Sequence, residues 1–204
     1  MWALIEDGSI TKHLRGNRGI TIGDIQYSRN IFSFRWSNEE REAIGIYEVV
    51  FNNTNKKDEQ WYINTNQSFA FADGVVTASF GSATAKAHAD ANATDADGND
   101  LDPVVVIPGL KTTLIRTVKS QAAGILQNTD WYIVRKADAD TDVPSAITTF
   151  RAAVRTKGAA METLITNASN TPAIETLYTY VNTADEGDPV VMERPLGEFP
   201  VLGS

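Results

Sequence analysis

Residues 121–157 read QAAGILQNTDWYIVRKADADTDVPSAITTFRAAVRTK, and they pass from the end of one helix, through a polar turn and an acidic loop, into the start of another. Leu110, Leu114, Ile115, Val118, Ala122, Ile125 and Leu126 recur at helical spacing on one stripe, which stops at Asn128-Thr129-Asp130. Trp131 follows at once and is expected to plug the space between the helices. Residues 137–142 form an acidic loop, and Val143-Pro144-Ser145 opens the next helix, striped by Ile147, Phe150, Val154, Met161, Leu164 and Ile165. Arg151 and Arg155 lie four apart on that helix. They either clamp a partner's carboxylates or pair with Asp130 and the acidic loop while snorkelling over the core, and the second is the plainer reading. Asn170-Thr171-Pro172 caps a third helix carrying Ile174, Leu177, Tyr178 and Val181. Three helices can close a small core.

Working outward, residues 2–5 and 9–14 flank Glu6-Asp7-Gly8 as a hairpin, and residues 19–22 and 25–27 flank Gly23-Asp24 as a second. Ser37 to Glu40 is a capping box that starts a short helix ending near Gly45. Strands are expected over 46–51, 61–64 and 74–80, with Asp73-Gly74 as a turn. In a strand Trp61 and Tyr62 face opposite sides, so one is expected inside and the other toward a partner. Residues 1–84 therefore read as an antiparallel β-rich module. Residues 85–108 read as an acidic connector, because 82–102 is nearly all small, polar or acidic and has little to bury. Val104 to Ile107 is a short strand before Pro108-Gly109. Residues 109–184 hold the helical unit, and 185–204 an extended tail. There Pro195 and Pro200 lower the entropy lost on docking, while Leu196, Phe199, Val201 and Leu202 fill pockets either on another subunit or on the protein's own helices. The expected fold class is α+β.

The order Leu126, Thr129-Asp130-Trp131, Arg135, acidic loop, Val143-Pro144, Phe150-Arg151, Arg155 resembles the C-terminal signature of bacteriophage tail-fibre assembly and related tail-associated proteins. Trp2-Ala3-Leu4-Ile5, Ile31-Phe32, Trp36-Ser37 and Ile44-Gly45-Ile46-Tyr47 resemble the opening module of the same group, particularly in phages of marine and freshwater bacteria. The resemblance implies a non-enzymatic virion protein of the tail, at the baseplate or fibre attachment, made in the host cytoplasm. Its partners would be other phage structural proteins, met in repeated copies of a symmetric assembly. It leaves two alternatives: a tail-fibre assembly chaperone absent from the mature particle, and a capsid decoration protein.

Composition narrows the chemistry. The 204 residues carry a net charge of −8, divided as −2 over 1–84, −4 over 85–108 and −2 over 109–204. An acidic chain repels phosphate backbones, so nucleic acid is not an expected partner. Lys12, His13, Arg15 and Arg18 form the one basic cluster, more plainly a solvated strand end than a binding site. With no Cys there is no disulfide framework and no thiolate chemistry. The absence of a basic segment followed by an apolar h-region, or of an apolar run approaching roughly 18 residues, predicts a soluble, unexported protein without membrane contact.

Asp95, Asp97, Asn99 and Asp100 surround Gly98 but fit no EF-hand frame, since its first and twelfth positions would be Ala93 and Val104. Asp138, Asp140 and Asp142 fail the same test at Val143 and Thr149. His13 and His88 have no zinc-ligand spacing, and no nucleophile elbow, zincin helix or phosphate-binding loop is present. Two carboxylates would suffice for glycoside hydrolysis, and an acidic chain always offers them. The expectation is no enzyme, no cofactor and no metal.

Overall fold

Trp2-Ala3-Leu4-Ile5 has no polar alternation because the strand it forms is covered on both faces. A computed structural model describes residues 1–203, which divide into two compact units, residues 1–84 and 85–203. The first contains β1 (Trp2–Glu6), β2 (Ser9–Leu14), β3 (Ile20–Ile22), β4 (Ile25–Tyr27), a 3-10 turn (Arg29–Phe32), α1 (Asn38–Glu42), β5 (Ile46–Asn52), β6 (Tyr62–Ile63), β7 (Gln67–Ala72) and β8 (Val75–Phe80). Five of the strands make one mixed sheet in the order β2-β1-β5-β8-β7. The β5–β8 pairing is parallel and the others antiparallel.

Side chains alternate across β1, and each face has its own core. Ala3 joins Val49, Val76 and Ala78, with Ile5, Ile10, Tyr47, Phe69 and Phe71 packed around them. Leu4 joins Ile31 and Ile46 on the other face, beneath Trp2, Leu14, Tyr27 and Trp36. The sheet curls until its edges β2 and β7 approach, bringing the His13 and Phe69 rings to 4.3 Å between centroids. Two Asp-Gly turns close the hairpins, with positive φ at both Asp7 (50°) and Gly8 (74°), and at both Asp73 (49°) and Gly74 (76°). The second turn joins β7 to β8, so β7 is a strand that the sequence reading did not resolve. The Ser37 capping box forms, Glu40 N donating to Ser37 Oγ (3.2 Å) and Ser37 N to Glu40 Oε2 (2.7 Å).

The chain crosses between the units at β9 (Thr84–Ala85). The second unit then contains β10 (Ala91–Asn92), β11 (Val106–Ile107), α2 (Leu110–Gln127), α3 (Asp130–Ala139), α4 (Ser145–Asn167), α5 (Thr171–Tyr178), β12 (Val181–Asn182) and β13 (Met192–Glu193). It has four helices where three were expected, because residues 130–139 form α3 and shorten the acidic loop. Val118, Met161, Ile165 and Leu196 make its core, with Leu114, Ile115, Leu177, Tyr178 and Phe199 around them. Leu164 lies off the buried stripe, and Val181 belongs to β12 rather than α5.

The acidic connector is not a free linker. Helix α2 begins with unpaired backbone N–H groups, and the connector supplies their acceptors: Ala87 O takes Leu110 N (3.0 Å) and His88 O takes Lys111 N (3.1 Å). Asp90 accepts from Gly109 N (2.8 Å) and Thr112 Oγ1 (2.9 Å). These hydrogen bonds, from Gly109 first and then Thr112, hold the Asp90 carboxyl below the usual aspartate value despite desolvation, with help from Arg116. Gly109 is required by close approach, since a Cβ there would lie 2.3 Å from Ala89 O. On the far side Thr171 Oγ1 donates to Lys86 O (2.6 Å). Beyond Asp90, β10 pairs with β11, and Asp95 Oδ1 accepts from both Asp97 N and Asn99 N (2.9 Å each), closing a tight turn. No helix among the described residues is long and apolar enough to cross a membrane.

Candidate partner-docking surface

The turn from α2 into α3 brings together much of the 126–155 pattern. Thr129 N and Thr129 Oγ1 both donate to Leu126 O (2.9 Å each), ending α2 in a tight turn. Arg151, on α4 and only 6% exposed, reaches into this turn. Its Nη1 donates to Leu126 O (2.9 Å) and Thr129 Oγ1 (2.6 Å), and its Nη2 lies 2.8 Å from Asp130 Oδ1. A cation therefore meets a helix C-terminus, where the carbonyls favour it, and pins the first residue of the next helix. Pro144 is the N-cap of α4. Arg155, one turn beyond Arg151, is exposed. The two arginines do not act as one clamp.

Helix α3 buries none of its residues. Tyr132, Arg135 and Lys136, at helical spacing, take its half-buried face, so the residues between them turn outward. Trp131 is 51% exposed, Ile133 45% and Val134 65%. Trp131 is thus no plug between helices. As the second residue of α3 it keeps half of its surface exposed and packs on Tyr132 (3.7 Å between centroids), with the Arg135 guanidinium 4.9 Å from its ring. Lys136 pairs with Asp140 (2.7 Å) and Asp142 (2.8 Å), hydrogen bonds that raise its pKa, so the charge of the acidic loop is partly offset from within the chain.

Beside this corner the tail folds back to form an open apolar groove of about 310 Å³. Ile125, Asn128, Thr129 and Phe150 line one part of it, and Phe199, Pro200, Val201 and Leu202 the other. Val201 is 70% exposed and Leu202 47%. Leu196, by contrast, is 2% exposed in the core, and its N–H donates to Leu177 O (3.0 Å). It serves the unit's own packing rather than a partner. The tail is therefore not simply an extended arm: β13 pairs with β12, and Arg194 Nη2 donates to Glu198 Oε2 (2.9 Å) while its guanidinium lies over Tyr178 and Tyr180. Tyr180 donates its phenol proton to Glu198, and that bond, first, raises the Tyr180 pKa. Burial works to raise the Glu198 carboxyl, but the hydrogen bonds from Tyr180 and Arg194, with Arg194 and Lys157 nearby, leave it below its ordinary value.

Other candidates from the sequence fall elsewhere. Trp61 and Tyr62 are both buried, at 4% and 5% exposure, so neither is presented to a partner; β6 is only two residues long and does not impose strand alternation on Trp61. Among the described residues no group of three His, Cys, Asp or Glu side chains could hold a metal ion. The residues the sequence reading missed are Ile133 and Val134. Their signal was present, since Trp131 and Val134 are three apart and share a helix face, but it is legible only once 130–139 is read as helix. No family model, no curated protein and no solved structure matches the chain.

Proposed function

We propose that the protein is a non-enzymatic structural component of a bacteriophage tail, at the baseplate or fibre attachment, and that it docks on other tail proteins through the outer face of α3 and the neighbouring groove. The observation that carries this reading is α3 itself. Helices in globular proteins are held chiefly by burying an apolar face, yet this one leaves Trp131, Ile133 and Val134 about half or more exposed. Covering such area is favourable by roughly 25 cal/mol per Å², which gives a partner subunit its driving force. The residues that carry the tail-protein resemblance, among them Thr129, Asp130, Trp131 and Arg151, frame the same corner. Further exposed aliphatics at Val104, Val105, Val106 and Ile107, and at Val190, Val191 and Met192, suit a protein held by several neighbours in a repeated assembly.

Quantitative mass spectrometry of purified, salt-washed particles tests the reading. The expected result is a fixed, symmetry-related copy number per tail, with Val134→Asp excluded from particles while the variant chain still folds. Presence in infected cells but absence from particles would overturn it in favour of a fibre-assembly chaperone, whose unassembled client would then cover the same surface. A copy number that follows the capsid would instead favour a decoration protein.

A further inference from the structure

The first unit carries a second feature, independent of α3 and of the tail reading. Although the chain has a net charge of −8, Lys12, Arg15, Arg18 and Arg29 make no ion pair among the described residues. Lys12, Arg15 and Arg18 line a concavity of about 270 Å³ with Gly16, Asn17 and Gly19. An adjoining cleft shares Arg18 and Gly19 and adds Arg29. No acidic residue lines either one. His13 also borders the first concavity, with its ring packed on Phe69 at 4.3 Å.

The loop between β2 and β3 is fixed in shape. Gly16 has φ +72°, and a Cβ there would lie 2.4 Å from the Trp2 ring. A Cβ on Gly19 would lie 2.4 Å from Tyr27 O. Both glycines let the backbone press against its neighbours, and the loop is held without its polar groups being used. The N–H groups of Gly16, Asn17 and Arg18 donate to no protein acceptor among the described residues. Free backbone N–H groups beside unpaired guanidinium and ammonium groups are the means by which proteins hold oxyanions.

We propose that residues 15–19, with Lys12, form a binding site for one oxyanion group of phosphate or sulfate type. A duplex backbone is a poorer occupant, because the rest of the acidic chain repels a long polyanion whereas a single group meets only the local positive concavity. The ligand's source is a free ion or a phosphate or sulfate carried on a sugar. The two share the chemistry the loop recognises.

The test is an amide-resolved NMR titration of the full chain with inorganic phosphate and with sulfate, at ionic strength held constant with chloride. Saturable shifts at Gly16, Asn17, Arg18 and Gly19 are expected, with affinity about tenfold weaker in the Arg15→Gln/Arg18→Gln variant, or about 1.4 kcal/mol. If that variant does not fold, Lys12→Gln gives the same readout with a smaller loss, and Arg155→Gln, in the other unit, serves as the control without effect. Glucose 1-phosphate separates the sources: equal affinity identifies the free ion, tighter affinity a sugar-borne group, and both uphold the site. Non-saturating shifts, shifts unchanged in the variants, or binding of duplex DNA without binding of phosphate would overturn it.

Discussion

Arg41 and Arg151 are exposed by only 7% and 6%, yet the two units hold them by different means. Arg41, on α1, has no carboxylate partner among the described residues: its Nε donates to Ile31 O (2.7 Å), its Nη2 to Ser33 O (2.7 Å) and its Nη1 to Asn38 Oδ1 (2.9 Å). It fastens the irregular segment around the 3-10 turn, whose carbonyls lie outside any ladder. Arg151 also takes a backbone carbonyl, at Leu126, but adds the Thr129 hydroxyl and the Asp130 carboxylate. Asp130 is 55% exposed at the side chain, so water shares its charge. In the first unit the guanidinium fork satisfies the Ile31 carbonyl, which takes no backbone N–H among the described residues, whereas in the second it joins Thr129 N and Thr129 Oγ1 on a Leu126 carbonyl that is already paired. The carboxylate in the second unit is an addition on the outside, worth little by itself.

That contrast can be tested in descending order of effect. Leu196→Ala should destabilise the second unit by about 3 kcal/mol, since it empties a fully buried core position, and deletion of residues 195–204 should unfold that unit outright. Chemical denaturation followed by near-UV signals reads both, and retained folding on deletion would return the tail to the role of a docking arm. Arg41→Met should cost about 2–3 kcal/mol because it orphans the Ile31 carbonyl, and Arg151→Met about 1–2 kcal/mol, since Leu126 O keeps its bonds from Thr129 and the loss falls on the Arg151 hydrogen bonds themselves. Asp130→Asn should cost less than about 1 kcal/mol. If Asp130→Asn proved as damaging as Arg151→Met, the ion pair and not the carbonyl would be the fastener, and the likeness to Arg41 would fail.

The acid limb sharpens the comparison further. Asp90 is depressed in the folded chain by its bonds to Gly109 and Thr112, against desolvation. A depressed carboxyl contributes stability that is present above its unfolded value and lost as the pH falls through its folded one. Thermal melts below the ordinary aspartate range should therefore lose stability, and Asp90→Asn should lower stability at neutral pH while flattening that acid decline. An unchanged slope would show that the cap at α2 does not couple to folding. The smallest stability effect is expected at Trp131→Ala, within about 1 kcal/mol because the ring is half in water. Its effect should appear in assembly instead.

Much of the fold was legible because local chemistry and tertiary need agree there. The helical stripes of α2 and α4, the Ser37 capping box and the Asp-Gly turns follow from spacing and backbone preference, and none needs a distant partner to be recognised. The α+β class follows from them. What only the tertiary structure decided involves contacts between residues far apart in sequence. The connector reads as a linker because it has nothing apolar to bury, but its value lies in carbonyls and Asp90, which every such segment has and which matter only when a helix end lacks acceptors. Leu196 and Trp131 look alike to a hydropathy argument; the fold buries one in the core and leaves the other half exposed, because α3 buries none of its residues and Trp131 packs on Tyr132 and Arg135 of its own helix rather than into that core. The candidate surface was therefore half visible, as residues without a geometry. Sequence determines which groups must find partners, and three-dimensional packing alone decides which of them find one inside the chain.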